Sequence, residues 1–278
     1  MMYSETRIIV DTLIVVKGAG DLATGVIHRL ARAGFPVIAT ELAHPTVVRR
    51  TVAFAEAVTL GAITVEEVTC RLATSFAAIQ TVLAEGEVPV VVDPAGSMLK
   101  QLRPTVLVEA TLSKYNSGIM IEDAPVVIAL GPGYEAGKDV HAVIETNRGH
   151  NLGRVYLQGS AEPNTGVPGA IGGYTIERLL RSPGAGKLYG VRQIGDLVQA
   201  YEKVALVRSA MNEEFPVKAS ISGILRGLVR DELDVTPGMK VGDIDPRASR
   251  EHCFTISDKS RAIAGGVLEA ILYFLNRG

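Results

Sequence analysis

The densest group of side chains capable of acid–base chemistry lies between residues 139 and 150. It contains His141, Glu145, Arg148 and His150. His141 and Glu145 are four residues apart, so they share a face whether the segment is a helix or a strand. Imidazoles and carboxylates act as general acids and bases, and a nearby arginine binds anions. We therefore predict His141, Glu145 and His150 as catalytic residues and Arg148 as a cofactor-binding residue.

Two alternatives apply to this group. Two imidazoles and a carboxylate also suit one face of a metal site. A polar loop with hydrogen-bonded histidines would place the same residue types together without any chemistry. We predict no metal ligands in the chain.

A glycine-rich turn lies near the start of the chain, between an apolar run and an amphipathic segment. From Gly18 to Ala23 it reads G-x-G-x-x-A. In dinucleotide-binding proteins the first glycine permits a tight turn, the second lets a pyrophosphate approach the backbone, and a small third residue permits close packing of helix on strand. Gly18, Gly20 and Ala23 fit these roles. Asp21 joins the predicted site at the helix start, although its charge opposes the phosphate that a helix N-terminus attracts.

An acidic residue follows at the spacing that this motif requires. Glu41 lies 23 residues after Gly18, at the end of the next predicted strand, where a carboxylate binds ribose hydroxyls. Arg49 comes soon after and would bind a cofactor 2′-phosphate or another anion. Its alternative role is a solvated residue on a short helix, and the alternative for the glycine turn is that it binds a different ligand or none.

Two further loops follow predicted strands, at the sheet edge where open α/β sheets bind ligands. We predict Asp93 in the first loop, and Gly131 and Gly133 in the second, as cofactor-binding residues. Asp93 has the alternative role of capping the next helix. The Gly-Pro-Gly segment either cradles an anion with its backbone N–H groups or forms a rigid turn.

Short apolar runs alternate with helical periodicity in the first half of the chain, which predicts βαβ units and a parallel sheet. We predict an α/β fold, a Rossmann-like doubly wound parallel sheet over 8–135. The range 136–212 is a glycine-rich loop and helix region, with helical spacing in 188–210. The range 213–278 is a small β-rich module, similar to half of a biotinyl/lipoyl-type sandwich, with a C-terminal helix capped at Ser257.

Composition excludes several classes of protein. The chain has 278 residues, 28 Lys+Arg against 30 Asp+Glu, and 47% hydrophobic residues, which argues against a disordered chain and against a nucleic-acid partner. Cys70 and Cys253 are its two cysteines, too few for a disulfide framework or a cysteine-rich zinc site, and we expect both as buried hydrophobes. We expect no signal peptide and no membrane segment, and a cytoplasmic location.

Several motifs together resemble the YqeB-type accessory proteins of selenium-dependent molybdenum hydroxylases. They are Lys17–Gly25, Arg49–Ala57, Asp139–His150, Asn164–Gly166 and Gly242–Arg247. That family is distantly similar to XdhC-type factors. The resemblance implies a maturation process in which the hydroxylase is the partner.

Three functions are compatible with these observations. The first is a maturation protein that binds a nucleotide ligand, which would be NAD, NADP or a molybdopterin dinucleotide. The second is an NAD(P)-dependent oxidoreductase acting on a small substrate, with His141 or His150 as the acid–base group. The third is a non-catalytic protein-binding scaffold. The sequence leaves open whether the protein is an enzyme and whether it forms a homo-oligomer.

Overall fold

A computed structural model describes residues 11–277, so residues 8–10 of the predicted first domain lie outside the described residues. The chain divides into two compact units. The first contains the residues up to Pro45, Phe54–Asn164 and the residues from Ile256 onward. The second contains Thr46–Ala53 and Thr165–Thr255.

The first unit is built on a nine-stranded sheet. Its strands are β1 (Ile14–Lys17), β2 (Val37–Glu41), β3 (Ala62–Val65), β4 (Val68–Leu72), β5 (Val88–Val92), β6 (Val106–Glu109), β7 (Val126–Leu130), β8 (Ala142–Ile144) and β9 (Val155–Tyr156). Their order across the sheet is β3-β4-β5-β2-β1-β6-β7-β8-β9. The seven inner strands of this order, with β4 and β8 at their ends, run parallel to one another. The edge strands β3 and β9 pair antiparallel with β4 and β8.

Continuous apolar runs form the central strands because both faces of the sheet are covered. Ile14, Val15 and Val16 of β1 have no exposed surface, and Leu107 and Val108 of β6 are equally buried. β1 and β6 pair in register from Ile14 with Val106 to the ends of both strands. The last residues of these two strands therefore reach the same edge of the sheet.

Among residues 11–277, the first unit has five α-helices with defined bounds. They are α1 (Asp21–Arg32), α2 (Ala57–Leu60), α3 (Phe76–Ala84), α4 (Ser97–Leu102) and α5 (Asp258–Leu275). The predicted cap of α5 is confirmed, because the Ser257 side chain accepts a hydrogen bond from Ser260 N. Gly25 of α1 lies so close to Ser260 that a larger side chain would collide with it. The C-terminal helix therefore packs on the first unit. None of the described helices is long and apolar enough to cross a membrane.

The second unit consists of two four-stranded antiparallel sheets, ordered β10-β17-β15-β12 and β14-β13-β11-β16. The strands are β10 (Leu179–Arg181), β11 (Gly186–Gly190), β12 (Leu197–Val198), β13 (Lys203–Arg208), β14 (Glu214–Lys218), β15 (Gly223–Leu228), β16 (Asp234–Val235) and β17 (Lys240–Asp245). Apolar side chains from both sheets, such as Leu225 and Leu188, form one buried cluster.

The predicted fold class, a Rossmann-like parallel sheet with a biotinyl/lipoyl-type half sandwich, is wrong. The large sheet is mixed, because a hairpin adds β3 at one edge and β9 turns back at the other. The small unit has two complete antiparallel sheets that begin at Leu179 rather than at residue 213. The segment predicted as helical in 188–210 instead forms β11, β12 and β13, and Leu188, Val204 and Val207 are buried in the first and last of these strands.

The predicted ranges 8–135, 136–212 and 213–278 do not coincide with the two units. The chain leaves the first unit briefly at Thr46–Ala53 and leaves it again at Thr165. It returns at Ile256, because α5 packs on α1. Contacts between residues far apart in sequence decide this division into units. Local sequence patterns do not predict such contacts.

Candidate functional site

The glycine turn joins β1 to α1 in a conformation that requires glycine at one position. Gly18 has a φ of 98°, and a Cβ atom there would lie 3.2 Å from the backbone of Ala110 and Thr111. A left-handed φ favours glycine, and the neighbouring backbone would have to shift by a few tenths of an ångström to accept a side chain. Gly20 is the N-cap of α1, and no side chain caps this helix. Ala23 is buried beneath the first turn.

Glu41 is bound to this turn. One carboxylate oxygen accepts a hydrogen bond from Ala19 N at 2.9 Å, and the other accepts one from Leu42 N at 2.7 Å. The residue is half-buried at the end of β2. Its carboxylate therefore orients the turn, and each oxygen has a further lone pair for another donor.

A polar network lies where β1 and β6 end. Lys17 and Glu109 are partners in the parallel register, so their side chains emerge together. Lys17 Nζ lies 3.0 Å from Glu109 Oε2 and donates to Ser117 Oγ at 2.9 Å. Ser117 Oγ donates to Glu109 Oε2 at 3.0 Å and lies 3.0 Å from the Tyr134 hydroxyl. We call these four residues the Lys17 network.

Burial and charge give the members of this network different properties. Glu109 is 1% exposed, and its other oxygen accepts hydrogen bonds from the Thr111 backbone and hydroxyl. Tyr134 is buried, and that burial raises the pKa of its hydroxyl. Ser117 is exposed. The network thus connects an accessible hydroxyl to a buried phenol, a carboxylate and an ammonium, which is an arrangement that can relay a proton.

Sequence analysis missed the Lys17 network, although two signals for it exist. Lys17 directly precedes the glycine turn, and Glu109 is an acidic residue that ends an apolar strand. Ser117 carried no signal, because it reaches the network only through the loop after β6.

Gly131 and Gly133 shape the loop that positions Tyr134. Gly131 N donates to Ile144 O at 2.8 Å, at the end of β8. Gly133 has a φ of 111°, and a Cβ atom there would lie 2.9 Å from Ser113 O. A side chain would therefore push this loop off the neighbouring 113–117 loop. Binding of an anion by these glycines stays a prediction.

Asp93 caps α4. Its Oδ1 accepts hydrogen bonds from the backbone and hydroxyl of Ser97, both at 2.9 Å, and its Oδ2 accepts one from Met98 N at 2.9 Å. This is the capping alternative considered for that residue. Its predicted role in cofactor binding is not tested by these contacts.

The predicted catalytic residues have separate environments. His141 Nδ1 accepts a hydrogen bond from Val127 N at 3.0 Å, and burial lowers its pKa. Glu145 has no exposed surface and accepts hydrogen bonds from the backbone amides of Asn147 and Glu162. His150 is exposed. These contacts are structural, and catalysis by the three residues stays a prediction.

The two arginines predicted to bind a cofactor, Arg148 and Arg49, both form hydrogen bonds with other residues of the protein. Arg148 forms two hydrogen bonds of 2.8 Å with the Asp258 carboxylate at the start of α5. Arg49 belongs to the second unit, where it donates to the carbonyls of His252 and Thr255. Arg49 also affects Arg226. Burial lowers the pKa of the Arg226 guanidinium most, and repulsion from Arg49 lowers it further.

The other expectations concern Asp21 and the cysteines. The Asp21 carbonyl accepts a hydrogen bond from Ser260 Oγ at 3.1 Å. Cys70 and Cys253 are free and buried, as expected, and burial raises the pKa of both thiols. Neither thiol is set up as a nucleophile, because the thiolate is the reactive form.

Comparison with known proteins supports the predicted resemblance to YqeB-type proteins. The chain is 51% identical over 266 residues to the uncharacterized protein YqeB of Escherichia coli. This alignment covers 96% of the chain and 48% of YqeB, so the chain spans about half the length of that relative. No family model matches the chain.

Solved structures resemble the chain only weakly. TcdA, the tRNA N6-threonylcarbamoyladenosine dehydratase of E. coli, is 12% identical to this chain with a TM-score of 0.34. The alignment covers 100% of this chain and 93% of the TcdA chain. An aspartoacylase family protein of Mesorhizobium loti is 11% identical with a TM-score of 0.27 and covers 84% of both chains. Similarity at this level carries no argument about the site.

Proposed function

We propose that the first unit binds a nucleotide-bearing cofactor at the edge where β1, β2 and β6 end. The observation that carries this proposal is that α1 begins at the glycine turn with no side-chain cap. Backbone N–H groups and the helix dipole at such a terminus attract a phosphate. Gly18 keeps the turn narrow beside Ala110, and open α/β sheets bind ligands at this edge of the strands.

Glu41 makes the proposal more specific. Its carboxylate lies against the turn, and its remaining lone pairs suit ribose hydroxyls. A 2′-phosphate at the same place would meet the negative charges of Glu41 and Asp21. We therefore favour NAD or a molybdopterin dinucleotide over NADP as the ligand.

The biological process that we propose is maturation of a selenium-dependent molybdenum hydroxylase in the cytoplasm. Its support is the YqeB-type resemblance of motifs that extend along most of the chain, together with the similarity to YqeB. The hydroxylase is then the partner, and the cofactor is either the cargo or a regulator of the maturation step.

Calorimetric titration with NAD, NADP, CTP and a molybdopterin dinucleotide tests this proposal. We expect one of these ligands to bind the wild-type protein and to bind Gly20→Val much more weakly. Gly265→Val is the matched control, because a Cβ atom at Gly265 contacts nothing within 4 Å. Absence of binding to the wild-type protein, or equal binding to Gly20→Val, would contradict the proposal.

The Lys17 network favours a second candidate function, an NAD(P)-dependent oxidoreductase. Its specific support is the hydroxyl of Ser117, which lies within 3.0 Å of both Lys17 Nζ and the Tyr134 hydroxyl. Such a chain can deliver the proton that accompanies hydride transfer to a carbonyl. A hydride-transfer assay over purines and small acids decides between the two functions. Activity that Ser117→Ala abolishes while ligand binding persists would favour the enzyme.

A further inference from the structure

A second polar cluster lies away from the glycine turn, between α1 and the β3–β4 hairpin. His28 projects from α1, and Glu66 and Glu67 form the two-residue loop between β3 and β4. One ligand atom from each of the three residues lies within 4.8 Å of the others. We call these three residues the His28 cluster.

The imidazole of His28 is buried with an unsatisfied nitrogen. The residue is 4% exposed, and its Nε2 atom makes no hydrogen bond. The nearest acceptors are Glu66 Oε2 at 3.5 Å and Glu67 Oε2 at 3.4 Å. Both oxygens face Nε2, but neither contact has hydrogen-bond geometry. A buried polar atom without a partner is rare enough to require an explanation.

The spacing of these atoms matches that of metal ligands. Zinc binds histidine nitrogen and carboxylate oxygen at about 2.0–2.2 Å in tetrahedral geometry, which separates neighbouring ligand atoms by about 3.4 Å. The two distances from Nε2 have this length. An ion bound by the three atoms would occupy the direction in which Nε2 now has no partner.

The outer oxygens of both carboxylates are held by other groups. Glu66 Oε1 accepts hydrogen bonds from Arg261 at 2.6 Å and from Ile256 N at 3.0 Å. Glu67 Oε1 pairs with Arg32. Both carboxylates are thereby oriented with one oxygen toward His28, as outer partners of metal ligands do.

A pocket of about 310 Å³ adjoins the cluster. It is lined by His28 together with Arg29, Arg32, Arg261 and Ile256, among others. Three protein ligands leave one tetrahedral position for water or another ligand, as in catalytic zinc sites. Arg32 and Arg261 pair with the two carboxylates, and Arg29 is a further cation in the lining that suits an anionic group as the fourth ligand.

We propose that His28, Glu66 and Glu67 bind a divalent transition-metal ion of the zinc class, with an open position toward this pocket. The competing arrangement is a protonated His28 in an ion pair with the two carboxylates. The two arrangements differ in an observable way, because only the first changes when metal is added.

Titration of chelator-treated protein with Zn²⁺ alone, and with Co²⁺ alone, tests the proposal. We expect saturable binding of one ion per chain, and Co²⁺ absorption bands of the intensity that tetrahedral sites give. Glu67→Gln and His28→Gln should each weaken Zn²⁺ binding by about 100-fold or more, since loss of an outer partner alone has up to that effect. Glu87→Gln is the matched control, because Glu87 pairs with Arg71 elsewhere in the same unit.

Each outcome decides the question. Binding that is lost in the two ligand variants and retained in the control supports the site. Absence of saturable binding to the wild-type protein, or equal binding by all variants, overturns it. If His28→Gln fails to fold, Glu67→Gln decides alone, because its side chain is half exposed.

Discussion

The Lys17 network and the His28 cluster are both polar groups of the first unit, but they differ in hydrogen bonding. In the Lys17 network both Glu109 oxygens accept hydrogen bonds, and the serine hydroxyl contacts three partners. In the His28 cluster a buried nitrogen faces two oxygens and bonds to neither. A satisfied network stabilises the fold by itself, whereas an unsatisfied one indicates a missing partner.

Removing the buried carboxylate of the satisfied network should have the largest effect. Glu109→Ala removes the carboxylate that pairs with Lys17 Nζ and accepts a hydrogen bond from the Ser117 hydroxyl, so we expect the free energy of unfolding to fall by about 3 kcal/mol. Urea denaturation measures this change. In the control Glu87→Ala, which breaks an exposed pair with Arg71, the loss should be about 1 kcal/mol or less. Equal losses of unfolding free energy in Glu109→Ala and Glu87→Ala would contradict a stabilising role of the buried Glu109 carboxylate.

Removing the phenol hydroxyl of the same network should have a smaller effect. Tyr134→Phe deletes the acceptor of Ser117 N, which lies 3.1 Å from the hydroxyl. We expect a loss of about 1 kcal/mol in the free energy of unfolding, the usual effect of one hydrogen bond. No loss at all would show that the hydroxyl is not part of the stabilising network.

Replacing the unsatisfied histidine should change stability least in the absence of metal. His28→Leu removes an orphaned nitrogen and keeps apolar volume, so we expect the free energy of unfolding to change by about 1 kcal/mol or less. Added Zn²⁺ should raise the melting temperature of the wild-type protein and not that of the variant. A loss near that of Glu109→Ala would instead indicate that a protonated His28 stabilises the fold as an ion pair.

The pH dependence of stability tests the environment of Tyr134 in the Lys17 network. Burial raises the pKa of Tyr134 above its ordinary value of 10.0, so the folded protein holds this proton more tightly than the unfolded chain. The contribution to stability is complete below pH 10.0 and is lost as the pH rises through the folded pKa. Urea midpoints at alkaline pH should therefore fall more steeply for the wild-type protein than for Tyr134→Phe. Parallel profiles would contradict this assignment.

Local patterns predicted individual elements well. The short apolar runs of the first half form buried parallel strands, as β5 (Val88–Val92) and β6 (Val106–Glu109) show, and the helix cap at Ser257 is confirmed. Fully apolar runs and capping residues carry their information within a few neighbouring positions. The helix predicted in 188–210 was wrong because its apolar spacing also fits residues that alternate in strands.

Among the predicted site residues, those close together in the chain lie together in the structure, and the more distant ones do not. The glycine turn and Glu41 lie together, because a strand, a turn and the next strand bring them there over a short stretch of chain. Asp93 forms a helix cap, and Arg49 belongs to the second unit. Their local spacing did not reveal which part of the chain each would contact.

The sequence alone determined the buried strands, several helix boundaries, the glycine turn and the YqeB-type resemblance, because these depend on residues close together in the chain. Only the tertiary structure decided the mixed order of the large sheet, the two antiparallel sheets and the return of α5 to the first unit. It also decided the Lys17 network, in which Lys17 bonds to Ser117 at 100 positions along the chain, and the His28 cluster, in which His28 faces Glu67 at 39 positions. Packing of distant apolar surfaces brings such residues together, and no local pattern records it.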